Sequence, residues 1–309
     1  MRKFFVLLCC LLLCTACARE PKPQLKPEGL TPEDRIGRYI EELTDKRFAG
    51  RQGGSRGEGQ AALYLARFLK KAGLQPGGDG GTFFQSFPIG KYEPVLVENR
   101  MTFRQVNGKE GYTSENVLGV LPGKQEDVIV VSAHYDHLGI IEGKLYPGAN
   151  DNASGVALVM ELVNSLKGKT PQYTILFAFW GSEEKGLLGS SFYCENPTIP
   201  LEKIKCVLNL DSIGNLGKEQ VLLGWPGGEN EISKGILHAF EGEGWKIHWE
   251  KTEKHSSDHL PFAKKGITAF TLLSPNWLEK NHTPLDTVEI IDKAPLGRLL
   301  IPLKKALKS

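Results

Sequence analysis

Residues 173–184 read Tyr-Thr-Ile-Leu-Phe-Ala-Phe-Trp-Gly-Ser-Glu-Glu. From Ile175 to Trp180 every position is apolar, so both faces of an extended chain would be apolar. A strand of that kind belongs in the middle of a sheet covered on both sides. Gly181-Ser182 ends it, and two carboxylates follow directly. Working outward, Val117–Leu121 and Val128–Ser132 are short β-branched runs split by Pro122-Gly123, and Lys205–Leu210 and Gly266–Leu273 read as further strands. Helices are expected over Glu33–Thr44, Gln60–Ala72, Ser154–Leu166, Glu184–Tyr193, Glu231–Glu243 and Pro295–Leu307. Strands alternating with helices predict an α/β fold: a three-layer helix–sheet–helix sandwich with a mixed, centrally parallel sheet.

The chain has 309 residues, and its 40% hydrophobic content excludes collagenous, low-complexity and disordered classes. Thirty-eight basic residues face 36 acidic ones, which leaves no basic footprint for a nucleic acid. Arg2 and Lys3, the apolar run Phe4–Leu13 and the small residues after it form the pattern of a secretory signal. Thr15-Ala16-Cys17 resembles a bacterial lipobox, with Cys14 where Leu is usual, so a lipid anchor at Cys17 is expected. Arg19–Pro32 is polar, contains four prolines and reads as a tether. The expected organisation is therefore a signal over 1–16, a lipidated terminus and tether over 17–32, and one domain over 33–309. Export places that domain in the bacterial cell envelope. Only Cys194 and Cys206 belong to the domain, and both are expected to be free, inert thiols.

In such a sheet, ligands bind beyond the carboxyl ends of the strands. Five segments deliver His or carboxylate there: His134-Tyr135-Asp136-His137, Asn150-Asp151-Asn152, Glu183-Glu184, Asp211 and Asn281-His282. Each could be a helix cap or a solvated loop residue on its own. Together they are a costly accumulation of like charge unless cations are present. Two His with several carboxylates and no thiolate ask for hard or borderline divalent cations, zinc first and manganese or cobalt next. His134 and Asp136 share one face of an extended chain, which suits Asp136 to accept the ring N–H of a ligating His134. Adjacent Glu183 and Glu184 suit a division of labour, one holding a cation and the other moving a proton. Gly53-Gly54-Ser55-Arg56-Gly57 matches the nucleophile-elbow pattern G-x-S-x-G, but Thr44–Gln52 before it is not a strand. It is read as a lead-in to a helix.

HYDHLG (134–139), GANDNASG (148–155), WGSEEKGLLGS (180–190), NLDSIG (209–214), SSDHLPFAKKGI (256–267) and NHTPLDT (281–287), in this order, resemble the zinc aminopeptidase family. That family includes bacterial leucyl aminopeptidases and aminopeptidase Y, with glutaminyl cyclase as a relative. The likeness runs from about Arg51 to Asp292. It implies two divalent metal ions, zinc first, with Asp151 bridging them. His134 and Asp211 would complete one site, and Glu184 and His282 the other. Glu183 would be the general base, Asp136 would orient His134, and peptides with a free N-terminus would be the substrates. The bond between Asp151 and Asn152 would share the cis geometry frequent in the family. Relatives often place an oxyanion-donating Tyr just before the SDH motif. Here Lys254-His255 stands there, so that role is unassigned, while Asp258 and His259 are read as supporting residues. Two alternatives stay open: a single-zinc glutaminyl-peptide cyclotransferase and a non-catalytic binding lipoprotein. Metal stoichiometry separates the first from a two-metal peptidase.

Overall fold

The computed structural model describes residues 29–108, 111–251 and 255–308. The signal, Cys17 and most of the tether lie outside the described residues. The strands are β1 (Gln75–Pro76), β2 (Phe84–Ile89), β3 (Lys91–Val97), β4 (Arg100–Val106), β5 (Tyr112–Leu121), β6 (Gln125–His134), β7 (Gly139–Ile141), β8 (Lys144–Tyr146), β9 (Tyr173–Trp180), β10 (Ile204–Leu210), β11 (Val221–Gly227), β12 (Lys246–Trp249) and β13 (Ala269–Leu273). The main sheet runs β1-β5-β9-β6-β10-β13-β11-β12, with β2 also paired to β5. Its centre, β9-β6-β10-β13, is parallel, while β5 joins β9 and β11 joins β13 antiparallel. This is the mixed, centrally parallel sheet that the alternating pattern predicts.

The period-two geometry of β9 shows why the sheet is sandwiched. Ile175, Phe177 and Phe179 enter one apolar cluster, and Leu176, Ala178 and Trp180 enter the other. On the first face lie α1 (Pro32–Leu43), α2 (Arg56–Ala72), α3 (Gly155–Leu166), α5 (Glu231–Glu241), α7 (Lys293–Arg298) and α8 (Leu300–Lys308). The second face is covered by α4 (Leu188–Glu195) and α6 (His259–Lys264), through Tyr193, Cys194 and Phe262. Helix α3 is buried almost all round. Its one internal carboxylate, Glu161, is held by Arg35 Nη2 at 2.5 Å and Nε at 2.9 Å. Cys194 and Cys206 are free and buried, as expected.

Three elements depart from the sequence reading. Residues 184–193 are not one helix. Glu183–Lys185 form a single 3-10 turn, and α4 begins only at Leu188. Ser182 and Leu187 break the run with left-handed backbone, at φ 53° and 59°. The terminal helix is two helices, because Pro302 has no N–H to bond back across Leu299. Helix α2 starts four residues before Gln60, where the Ser55 hydroxyl accepts the Glu58 N–H at 3.2 Å. That capping role is what Ser55 does inside the nucleophile-elbow match.

Strands β3 and β4 form a separate hairpin, paired from Lys91↔Val106 to Val97↔Arg100. Its two-residue turn, Glu98-Asn99, has both φ values positive, at 47° and 64°, the twist that tight hairpins favour. The hairpin pairs with no other strand among the described residues. Among those residues, no helix is long and apolar enough to cross a membrane.

Candidate metal centre

All five segments meet at the carboxyl edge of the parallel strands. His134 is the last residue of β6, Glu183 and Glu184 follow β9, Asp211 follows β10, and His282 lies in the loop after β13. Asp151 sits in the turn that opens α3, and its bond to Asn152 is cis. His134 Nε2 lies 3.2 Å from Asp151 Oδ1 and 3.4 Å from Asp211 Oδ1. His282 Nε2 lies 3.2 Å from Asp151 Oδ2 and 3.0 Å from Glu184 Oε2. The two oxygens of one carboxylate are thus turned to two different histidine–carboxylate pairs.

Each of these side chains is held from behind. Asp286 accepts the Asn150 and Asp151 N–H groups at 2.7 and 3.0 Å, and Asn281 Nδ2 donates to Asp151 Oδ2 at 2.6 Å. Ser257 Oγ donates to Asp211 Oδ2 at 2.6 Å. His137 Nδ1 stands 2.8 Å from Glu184 Oε1. His282 has φ 57°, and its Nδ1 meets the Met101 carbonyl of the β3–β4 hairpin at 2.5 Å. That contact requires the proton on Nδ1 and frees Nε2 to face Asp151 and Glu184. Asp136 is arranged differently from the sequence reading. Its Oδ1 is 3.6 Å from His134 Nδ1, beyond hydrogen-bonding distance, and its backbone carbonyl is nearer at 3.3 Å. Its carboxylate accepts instead from the N–H groups of Glu183 at 2.9 Å and Glu184 at 3.3 Å. Asp136 therefore fixes the turn that carries both glutamates.

Arg51 ties the loops together. It is fully buried and donates to the carbonyls of Leu43 (2.5 Å), Tyr135 (2.7 Å), Gly148 (2.9 Å) and Pro147 (3.0 Å). Burial pushes its pKa down to about 10, while Asp136, Asp286, Asp151 and Glu184 pull it up. It stays a cation at neutral pH, placed behind a cluster of carboxylates.

The electrostatics follow from this crowding. Burial raises Glu183 well above the usual carboxylate range, with Asp258, Glu184 and Asp211 adding to it against His134. Burial also acts to raise Asp151, but the His134 and His282 hydrogen bonds overcome it and hold Asp151 well below the ordinary range. Burial works to lower His134, and Glu183 with Asp211 raises it well above normal instead. His282 behaves alike, with Glu184 and Asp151 outweighing burial. Protonated histidines and bound dications are thus alternative ways of satisfying the same carboxylates.

The donor set fits divalent cations. His134, Glu183 and Asp211 offer ligand atoms within 4.8 Å of one another, as do His137, Asp151 and Glu184. Oxygen and imidazole donors without a thiolate suit zinc, manganese or cobalt. Around them opens a cleft of about 250 Å³, walled also by Arg100, Trp225, His255 and Trp277. Asp258 accepts from Ser190 Oγ at 2.5 Å, and His259 Nδ1 lies 2.8 Å from Thr271 Oγ1, so both are engaged in the scaffold. Lys254 lies outside the described residues.

A carboxylate–histidine centre at the carboxyl edge of a covered, centrally parallel sheet defines a class of metal-dependent α/β proteins. Residues 116–301 match Peptidase family M28, and this chain belongs to that family. Among curated relatives, Aminopeptidase YwaD of Bacillus subtilis is 33% identical over 214 residues, covering 65% of this chain and 46% of that protein. Probable lipoprotein aminopeptidase LpqL of Mycobacterium tuberculosis is 32% identical over 184 residues, covering 54% and 34%. The chain thus spans less than half the length of these relatives. Among solved structures, BSAP, a zinc aminopeptidase from Bacillus subtilis, superposes with a TM-score of 0.70 at 20% identity, over 89% of this chain and 94% of that one. A Bacteroides thetaiotaomicron glutaminyl cyclase superposes at 0.66 and 19% identity, over 90% and 97%. These structures share the fold.

Proposed function

We propose that this chain is an exported metallo-aminopeptidase with a two-metal centre. The observation that carries the reading is Asp151, whose Oδ1 faces His134 and whose Oδ2 faces His282. His134 and Asp211 would hold one ion, Glu184 and His282 the other, and Asp151 both. Bound zinc supplies a Lewis acid for the peptide carbonyl and lowers the pKa of water. Glu183 is the general base. Its place beside His134 and Asp211 suits it to take a proton from the attacking water and return it to the leaving amine. Asp136 positions it through the backbone N–H at 2.9 Å. His137 is engaged with Glu184 Oε1 and serves to aim that carboxylate. The names of YwaD and LpqL support aminopeptidase action, and LpqL together with Thr15-Ala16-Cys17 supports a lipid anchor.

The test is metal content and turnover on the same preparation. The expected result is two ions per chain, with chelator-sensitive release of N-terminal residues from aminoacyl amides and peptides. Asp151→Ala should lose both ions. One ion with cyclisation of N-terminal Gln would assign the cyclase instead, and no ion with no turnover would leave a binding protein.

A further inference from the structure

Arg100 is the one Arg or Lys in the wall of the cleft among the described residues. It is the first residue of β4, its guanidinium lies 5.4 Å above the Trp277 ring, and it donates from Nη2 to Asn281 Oδ1. Its Nε is buried and has no partner. Two other arginines show what a purely structural guanidinium looks like in this fold. Arg35 grips Glu161 through two nitrogens, and Arg51 spends its donors on four carbonyls. Arg100 has neither arrangement. Asp151, Glu183, Glu184 and Asp211 line the same cleft, yet none of them pairs with it.

A guanidinium is a planar fork matched to two carboxylate oxygens, and stacking on an aromatic face fixes its plane. Asn281 links Arg100 to the centre, since it receives Nη2 and donates to Asp151 Oδ2 at 2.6 Å. The fork is therefore two side-chain contacts from the bridging carboxylate. One extended residue spans about 3.3–3.6 Å, so the carboxylate of a peptide's second residue falls within the same neighbourhood.

We propose that Arg100 is a specificity residue that receives a substrate carboxylate on the leaving side of the cleaved bond. This rests on the aminopeptidase reading and narrows its substrate class. The carboxylate comes either from the free C-terminus of a dipeptide or from an acidic side chain at the second residue.

Two peptide pairs distinguish these sources with the zinc-loaded protein: Leu-Ala against Leu-Ala-amide, and Leu-Asp-amide against Leu-Asn-amide. The carboxylate member of at least one pair should have a kcat/KM higher by about tenfold, carried mainly by KM, as expected for one charge-assisted contact. Arg100→Gln should bring that ratio to within about twofold of unity, and Arg100→Lys should keep part of it, because the point charge remains while the fork is lost. The pair that responds names the source. Ratios equal in the wild type and in Arg100→Gln, or a wild-type preference for the uncharged member of both pairs, overturn the proposal. If the wild type releases no N-terminal residue from any peptide, the aminopeptidase reading fails. Calorimetric titration of the same four peptides then reads the Arg100-dependent carboxylate preference without turnover, and its absence overturns this inference separately.

Discussion

Replacing Arg51 with Met should destabilise the protein by about 3 kcal/mol and loosen metal binding, although Arg51 touches no site side chain. The guanidinium donates to four carbonyls, three of them in buried contacts and that of Pro147 in a part-buried one. Gly148 O also accepts the Ala153 N–H at 3.2 Å, so three carbonyls, those of Leu43, Tyr135 and Pro147, would lose this donor without that second contact. An unsatisfied buried acceptor costs about 1–3 kcal/mol, which puts the loss at about 3–9 kcal/mol. Against this, burying the cation is itself unfavourable. The fall from 12.5 to about 10 corresponds to about 3 kcal/mol that the substitution regains. The middle of the remaining range is about 3 kcal/mol. Urea unfolding of the chelator-treated protein measures it, and zinc titration of the refolded protein measures the second effect, since Tyr135 and Gly148 carry the loops of His134 and Asp151. Arg51→Lys keeps the charge but not the fork, and should recover less than half. A stability change under about 0.5 kcal/mol with unaltered zinc affinity would refute the reasoning, because that is the range of an inconsequential surface change.

Three other outcomes are expected. Glu183→Gln should keep metal and fold but lose at least about 10²-fold in kcat, and wild-type turnover would remove Glu183 from its role. Loading the metal-free protein at pH 7 should release protons, His134 and His282 among their sources, because both are raised well above the ordinary histidine value and must be neutral to ligate. The heat of binding in buffers of different ionisation enthalpy counts them, and a slope of zero would contradict imidazolium in the metal-free state. Affinity should accordingly rise with pH until both histidines are neutral. Cys194 and Cys206 are buried and burial pushes each thiol up to about 12, so neither should react with a thiol reagent at pH 8 until the chain is unfolded.

The sheet was legible because its central strands are apolar on both faces and its turns carry Gly and Pro. Ile175–Trp180 alone implies two covering layers. The ligand candidates were legible because His134, Glu184, Asp211 and His282 come at or after the ends of such strands and Asp151 opens a helix between two of them. What supports them was not. Arg51 lies in a Gly-rich, polar stretch with no period, and nothing local marks it as buried. Asn281 and Asp286 stand inside a motif quoted for His282, but their hydrogen bonds to the Asp151 loop join residues 130 or more positions apart. Residues 184–187 were read as helix, since Glu, Lys and Leu favour helices, and the left-handed backbone of Ser182 and Leu187 overrides that preference. Such non-glycine residues also occur at Ser212 and His282, so unusual backbone conformation gathers at the centre.

The β3–β4 hairpin leads to a last consequence. It holds Nδ1 of His282 through Met101 and the amide of Asn281 through Arg100, yet its strands pair only with each other among the described residues. A self-paired ribbon opens at less free energy than the main sheet. Each opening would release the imidazole from the tautomer that faces Asp151 and Glu184. By linkage, an ion held on those groups must close the ribbon as strongly as the ribbon secures the ion. Protease nicking at Glu98-Asn99 would then report metal occupancy from the outer surface of the protein.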